Sequence, residues 1–236
     1  MTGAGRIYGL GIGPGDPELL TLKAHRILQR VPVIAYPAPD DAPSLARVIA
    51  APHLPGGQRE IVIRVPMRVE RFPAAQVYDK AARELLEETA AGRDVAVLCE
   101  GDPFFYGSFM YLFARLAGHA AVEIVPGVSS LTACAGALGA PLAARNDTLT
   151  VVPAPLDEAA IEASLASCDG AAIIKLGRHF AKVRSILERA GLAGRARYIE
   201  HASMSDQRIV PLEAVDPSKV PYFSMIIVHR RGEAWS

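Results

Sequence analysis

Cysteine is scarce here: Cys99, Cys134 and Cys168 are the only three in 236 residues. They are odd in number, far apart and without metal-ligand spacing. That excludes a disulfide framework and predicts reduced, buried thiols in the cytoplasm. Lysine is also sparse beside arginine, at Lys23, Lys80, Lys175, Lys182 and Lys219. Genomic base composition accounts for such a bias; it also means that an anion site here is built from guanidinium forks. Charge of one sign is lacking, because 25 basic residues meet 25 acidic ones. The basic footprint of a nucleic-acid binder is therefore missing. Met1 to Arg6 has neither the basic nor the apolar region of a signal peptide, and none is expected. Ile124 to Ala144 carries no charge, yet Pro126, Gly127, Gly136, Gly139 and Pro141 break it. It reads as a loop and a small-residue helix, not as a membrane span. The six histidines show no paired spacing, so no metal is expected.

Half of the residues are hydrophobic, enough for one large domain or two smaller ones with real cores. Val95-Ala96-Val97-Leu98-Cys99 is a short β-branched run that reads as a buried parallel strand. It stops at Glu100-Gly101-Asp102-Pro103, a turn cluster, and Phe104 to Phe113 follows as an aromatic-rich loop and helix. In an open α/β sheet such a loop lies at the carboxyl edge, where ligands bind. A plain βα loop with a capping Asp fits equally well.

Strands and helices alternate before and after this stretch. Ile7 to Ile12 is a strand, followed by Gly13-Pro14-Gly15-Asp16-Pro17-Glu18. This loop is neither a dinucleotide fingerprint nor a P-loop. Asp16, Pro17 and Glu18 suit a helix start, and Leu19 to Arg30 has helical spacing. The alternating Gly9, Gly11, Gly13 and Gly15 either serve the turn or let a ligand approach the backbone. Val31 to Tyr36 reads as a strand, Ser44 to Ala51 as a helix, Glu60 to Val65 as a strand and Ala74 to Ala91 as a helix. Together these imply a parallel sheet with right-handed crossovers. Val122 to Val125 is a short strand before Pro126-Gly127-Val128-Ser129-Ser130, and Leu131 to Leu138 is a small-residue helix.

After Pro141 the pattern changes. Leu149 to Val152, Ala171 to Leu176, Arg197 to His201, Arg208 to Leu212 and Tyr222 to Val228 read as strands. Only Glu158 to Ala166 and Phe180 to Ala190 read as helices among them. A second α/β unit with a mixed sheet follows, its boundary near Gly118 to Ala121, giving domains 1–119 and 120–236.

Three loops at strand ends, Gly13-Pro14-Gly15-Asp16, Glu100-Gly101-Asp102-Pro103 and Val125-Pro126-Gly127-Val128-Ser129-Ser130, together with the run Gly11 to Ala24, resemble the tetrapyrrole methylase family. The resemblance covers nearly the whole chain, with its signatures in order. It implies two α/β domains with the active site in the cleft between them, S-adenosylmethionine as methyl donor, a tetrapyrrole as acceptor and a homodimer. Cys99 to Leu112, Lys175-Leu176-Gly177-Arg178 and Pro221 to Met225 are similar to the branch that methylates C20 of precorrin-2 in cobalamin synthesis. The alternative acceptor is cobalt-factor II of the metal-first pathway. Carried over by position, the donor contacts are Pro14, Gly101, Asp102, Phe105, Ser129, Ser130, Leu176 and Ala202. Uroporphyrinogen-methylating members have an Asp after the Tyr that ends the second strand; here Pro37 follows Tyr36, which counts against that acceptor.

A sulfonium methyl is already activated, so the protein need only align the reactants and exclude water. Phe104, Phe105 and Tyr106 suit an apolar wall, Tyr106 against the acceptor, unless they pack in the core. C20 must lose a proton after methylation, and Asp16, Glu100, Tyr36 and bound water are the candidate acceptors. A carboxylate-rich tetrapyrrole calls for Arg forks, with Arg68, Arg145 and Arg178 as candidates. Two other function classes remain: methylation of RNA ribose or a protein side chain, and a tetrapyrrole carrier that has lost catalysis. Zero net charge opposes the first, and failure to bind the methyl donor would favour the second.

Overall fold

The computed structural model describes residues 3–65 and 73–232, which fall in two units, 1–129 and 130–236. The first unit runs β1 (Arg6–Gly11), α1 (Leu22–Leu28), β2 (Val33–Ala38), α2 (Leu45–Ala50), β3 (Arg59–Arg64), α3 (Pro73–Ala90), β4 (Val95–Cys99), α4 (Phe109–Leu116) and β5 (Ala121–Val125). Its five strands are all parallel, in the order β3-β2-β4-β1-β5. Side-chain alternation along the strands builds two cores. Ile7, Val33, Val95, Val97 and Cys99 pack with Tyr78, Leu85, Phe109 and Leu112 of α3 and α4. Tyr8, Leu10, Ile34, Ala96 and Leu98 pack with Ala24, Ile27, Ala46 and Ile49 of α1 and α2. Hence the chain leaves β1 toward one face of the sheet and leaves its neighbour β4 toward the other. Loops that diverge from adjacent parallel strands open a crevice at their carboxyl ends, which is where an open α/β sheet holds a ligand.

The second unit runs α5 (Ser130–Leu138), β6 (Leu149–Pro153), α6 (Glu158–Ala166), β7 (Gly170–Ile174), α7 (Phe180–Arg189), β8 (Ala196–Glu200), β9 (Arg208–Val210) and β10 (Ser224–His229). Its sheet is mixed, ordered β6-β7-β10-β8-β9. Strand β10 is antiparallel to both neighbours, so β7 and β8 run the same way and end at one edge, with β6 parallel to β7. Ile173, Tyr198, Ile226 and Val228 pack against Ile161 and Leu165 of α6 and Val183, Ile186 and Leu187 of α7.

The two α/β units with one parallel and one mixed sheet are those expected, but several boundaries move. The division falls at Ser129/Ser130, not at 119/120, because β5 pairs with β1 from Arg6↔Ala121 to Leu10↔Val125 and belongs to the first sheet. The helix expected over Leu19 to Arg30 is split. A 3-10 turn covers Pro17–Leu19, and Thr21 then caps α1 by accepting the Ala24 N–H at 3.2 Å. Strand β2 runs on through Pro37 to Ala38. It pairs with β4 only as far as Ala35, so the missing N–H of Pro37 interrupts no bond on that side. Strand β7 stops at Ile174 because Lys175 turns left-handed, with φ +59°. No helix among the described residues is long and apolar enough to cross a membrane.

Candidate functional site

In the first unit the loops after β1, β4 and β5 are laced together backbone to backbone. Gly13 and Gly101 form an antiparallel bridge, with Gly101 N–H donating to Gly13 O at 2.8 Å. Both are left-handed, at φ +82° and +64°, a region open to glycine. A Cβ on Gly11 would lie 2.5 Å from Gly127 N and 2.8 Å from Gly101 O. One on Gly127 would lie 2.1 Å from Gly101 O. The glycines at 11, 101 and 127 therefore serve contact between loops: the space beside Gly11 is filled by the protein's own backbone, not left for a ligand. Asp102 completes the knot. Its Oδ1 accepts the Phe104 N–H at 2.9 Å and its Oδ2 accepts the Gly127 N–H at 3.0 Å. The carboxylate staples its own turn to the third loop, and its remaining lone pairs set what it can offer a ligand.

Pro14 is buried in the first loop, so its ring is not presented to solvent. Asp16 accepts the Glu18 N–H at 2.8 Å and caps the following turn, as its position predicts. The Phe105 ring is half-buried and meets Tyr106 edge-on at 5.1 Å; Tyr106 is 45% exposed on a left-handed backbone, φ +56°. Phe104 leans on Phe113 at 5.1 Å yet stays 48% exposed. The aromatic run thus presents two exposed rings and one half-buried ring above the packed Phe109.

The three candidate proton acceptors separate. Tyr36 donates to Glu60 Oε2 at 2.5 Å, and burial followed by the hydrogen bond and charge of Glu60 raises its pKa. Arg47 holds Glu60 through a fork and lowers its pKa. Tyr36 is therefore a committed donor, which corrects its candidacy as a base. Glu100 faces α2, accepting the Ala46 N–H at 3.2 Å, and burial pushes its carboxyl above the usual range. Asp16 keeps its capping role.

In the second unit Leu176 and Ala202 follow β7 and β8, and both side chains are buried, at 0% and 8% exposure. What they present at this edge is backbone. Each sits between left-handed neighbours: Lys175 and Gly177 at φ +59° and +38°, His201 and Ser203 at +46° and +67°. Ser129 ends the first unit, and Ser130, exposed, opens α5.

The candidate arginines do not form one cluster. Arg68 lies outside the described residues. Arg145 is exposed in the Ala144–Asp147 turn ahead of β6, while Arg178 follows β7. Because β6 and β7 are parallel, the two lie at opposite ends of the sheet. The two candidates therefore cannot grip one carboxylate together within this sheet.

Other contributors escaped sequence reasoning. The Cys99 sulfur accepts the Phe109 and Ser108 N–H groups at the start of α4, and burial pushes its thiol up to about 12. Gly107 is fixed by the Asp102 and Pro103 carbonyls and by the same sulfur, since a Cβ there would come within 2.7 Å of each oxygen and 2.8 Å of the sulfur. The His53 ring lies 3.0 Å from Pro17 O through Nε2 and braces the first loop from 36 residues away. A carbonyl only accepts, so that nitrogen carries a proton. A scan for motifs misses the His53 contact because it joins positions distant in sequence. Among the described residues no three His, Cys, Asp or Glu side chains group as metal ligands.

Comparison with known proteins finds relatives over nearly the whole chain. The family model for Tetrapyrrole (Corrin/Porphyrin) Methylases covers residues 6–216. The cobalamin biosynthesis protein CobIJ of Mycobacterium tuberculosis is 40% identical over 97% of this chain, which spans only 46% of that protein's length. The precorrin-2 C(20)-methyltransferase of a Sinorhizobium species is 36% identical over 96% of both chains. The cobalt-precorrin-2 C(20)-methyltransferase of Salmonella typhimurium is 31% identical over 97% of this chain and 98% of its own. Among solved structures, uroporphyrin-III C-methyltransferase of Thermus thermophilus in complex with S-adenosylhomocysteine superposes with a TM-score of 0.68 at 29% identity. That match covers 95% of this chain and 97% of the other. With its two sheets, its loop knot and a family model matching most of its length, the chain belongs to the tetrapyrrole (corrin/porphyrin) methylase family.

Proposed function

We propose that this chain transfers a methyl group from S-adenosylmethionine to C20 of precorrin-2, giving precorrin-3A, as a cytoplasmic homodimer. The observation that carries the reading is the glycine knot with its Asp102 staple, in a chain 36% identical over 96% of its length to a precorrin-2 C(20)-methyltransferase. Bound S-adenosylmethionine supplies a methyl on a cationic sulfur, activated without a metal. The chain's own residues do the rest. The locked loops fix Pro14, Gly101 and Asp102, so that little reorganisation is left for the reaction. Phe105 and Tyr106 exclude water from the same loop edge. Buried Leu176 and Ala202 offer backbone groups from the second unit. Glu100, whose burial raises its proton affinity, is the carboxylate best suited to accept a proton at neutral pH.

A second reading keeps the chemistry and changes the acceptor to the cobalt-containing form. The 31% identity to the Salmonella typhimurium protein supports it. An anaerobic assay with labelled donor, precorrin-2 in one tube and cobalt-factor II in another, separates the two by mass spectrometry. One labelled methyl on precorrin-2 alone is expected, with carbon NMR placing it at C20. Transfer only to the cobalt form overturns the first reading in favour of the second, and transfer to neither overturns both. Sedimentation equilibrium tests the dimer, and a monomer at micromolar concentration refutes it.

A further inference from the structure

The chain is neutral overall, but its charge is not evenly spread. From Gly170 to Leu187 it carries Lys175, Arg178, Lys182 and Arg184 and no Asp or Glu. Further along α7 the usual pairing returns: Arg184 reaches Glu188 at 3.8 Å, and Arg189 reaches Glu158 at 2.9 Å and Glu162 at 2.6 Å. Arg178 and Lys182 differ. Among the described residues neither has a carboxylate partner; the Lys182 ammonium donates to Leu156 O, and Arg178 Nε lies 3.4 Å from His179 Nε2. A guanidinium has no acceptor, so His179 Nε2 presents its lone pair and the imidazole is neutral. Burial, then Lys182 and Arg178, lowers the His179 pKa, which agrees with that assignment. The other groups facing this turn do not offset the two cations. Lys175 stands at the strand end on the same edge. Asp157, from the β6–α6 loop, caps α6 by accepting the Ala160 N–H. Asp216 and Lys219, on the turn packed against this one, pair with each other at 3.6 Å.

We propose that Arg178 and Lys182, on either side of His179, form an anion subsite for the carboxylate side chains of a tetrapyrrole. The proposal deepens the function proposed above and rests on it. Three features support this ligand chemistry. The two cations flank one residue on the edge where β6 and β7 end. Arg178 is exposed, and its contact with His179 engages only Nε, leaving the terminal nitrogens for a bidentate carboxylate. Lys182 spends one of three hydrogens on Leu156 O and is held in place by it. Two cations that both act on His179 and have no carboxylate partner among the described residues favour a ligand that brings negative charge, and a polycarboxylate bound across them supplies it. Arg145, at the opposite end of the sheet, is not part of the subsite.

The test is equilibrium binding of uroporphyrin, a tetrapyrrole with acetate and propionate side chains, followed by fluorescence quenching of the porphyrin. Wild type, Arg178→Gln, Lys182→Gln and the control Arg195→Gln are compared, each also titrated with S-adenosylhomocysteine. Arg178→Gln and Lys182→Gln are each expected to weaken uroporphyrin binding about tenfold, as loss of a charge-assisted hydrogen bond does. Both keep their melting temperature and their S-adenosylhomocysteine affinity, and Arg195→Gln changes nothing. In the wild type, NMR titration of the His179 ring is expected to move to higher pH when uroporphyrin is added, because bound carboxylates offset the charges that hold the imidazole neutral. Uroporphyrin affinity unchanged in both variants overturns the subsite, even if the wild type methylates precorrin-2. Arg178-dependent uroporphyrin binding by a wild type that methylates neither acceptor upholds the subsite and overturns the proposed reaction. A His179 midpoint that does not move on saturation with uroporphyrin counts against the subsite in either case.

Discussion

Gly127→Ala tests whether the knot of loops is as tight as its geometry states. The new Cβ would stand 2.1 Å from Gly101 O and 2.8 Å from Gly11 Cα. Both are backbone atoms, so no side chain can swing away to make room. The loops must part by about 0.9 Å, the difference between 2.1 Å and the 3.0 Å below which such contacts are essentially never found. Gly101 resists, being bridged to Gly13 at 2.8 Å. A shift of that size is enough to carry the Gly127 N–H, now 3.0 Å from Asp102 Oδ2, out of hydrogen-bond range. Overpacking costs ~1–3 kcal/mol, and a lost bond to a charged acceptor ~1.5–3 kcal/mol. Together they predict a loss of about 4 kcal/mol and a melting temperature lower by roughly 10 °C. The loops that carry Pro14 and Asp102 move with it, so kcat/KM should fall about 100-fold, and S-adenosylhomocysteine affinity should weaken. Gly136→Ala is the matched control. That glycine lies in α5 with nothing within 4 Å of its added Cβ, so the change should stabilise by about 0.5–1 kcal/mol. Calorimetry and isothermal titration read both variants. A Gly127→Ala protein with wild-type melting temperature and wild-type S-adenosylhomocysteine affinity would refute the reasoning.

Three further outcomes follow from the site. Glu100→Gln keeps an acceptor for the Ala46 N–H but removes a carboxyl whose folded pKa is raised by burial. The stabilisation from a raised carboxyl is present below its unfolded pKa and lost as pH rises through the folded one; the variant should therefore match wild type near pH 4 and melt higher at pH 8, while methyl transfer falls. Equal melting curves at both pH values would contradict the shift. Asp102→Asn leaves one of the Phe104 and Gly127 N–H groups facing an amide that cannot accept, at a cost of about 1.5–3 kcal/mol. Hydrogen exchange at Phe104 and Gly127 should quicken, with weaker S-adenosylhomocysteine binding, and unchanged exchange would remove the staple from the argument. Tyr36→Phe deletes the 2.5 Å bond to Glu60 while Arg47 still holds that carboxylate. Turnover should stay within about threefold of wild type, whereas loss of turnover in a folded variant would restore Tyr36 as a base.

The elements legible in the sequence are those whose pattern is local. Val95–Cys99 and Glu158–Ala166 are found where their runs of residues place them, because a buried strand and a capped helix are written in consecutive positions. The domain division was not legible, because β5 is decided by pairing with β1, over a hundred residues earlier. The break within residues 19–30 was hidden for another reason. Leu19, Leu20 and Leu22 keep helical spacing across a turn that Thr21 interrupts by capping a new helix. At the site, residue types pointed to the loops after β1, β4 and β5 but not to the partners their side chains take there. Asp102 reads as an acceptor for a ligand until Gly127 and Phe104 take its two oxygens. Gly11 reads equally as a turn residue or as room for a ligand, until Gly127 fills the space. Tyr36 reads as a base until Glu60, on the neighbouring strand, turns it into a donor.

The two units solve one problem by different mixtures of means, with left-handed Tyr106 beside the glycines of the first and left-handed Gly177 beside the larger residues of the second. Each must turn its chain sharply at the carboxyl edge of a sheet and hold backbone groups there in one arrangement. The first unit uses glycine at 13 and 101, where a positive φ carries no Cβ penalty, and gains rigidity by packing bare backbones together. The second unit places Lys175, His201 and Ser203 at positive φ, each costing on the order of 1–2 kcal/mol. Strain of that size persists only where the surroundings over-determine it. Around His201 they do: its N–H donates to Phe223 O at 2.8 Å, its ring meets Asp206 at 2.6 Å, and its carbonyl accepts the Met204 N–H at 2.9 Å. Ser203 N–H is held by Gln207 at 2.7 Å. The strain therefore lies in a turn fixed from three directions, with buried Ala202 at its centre. A glycine at 201 or 203 would relax the turn and free the backbone groups it holds. Keeping side chains at those positions trades stability for a backbone edge already set before any ligand arrives, which is what the donor contact proposed for Ala202 requires.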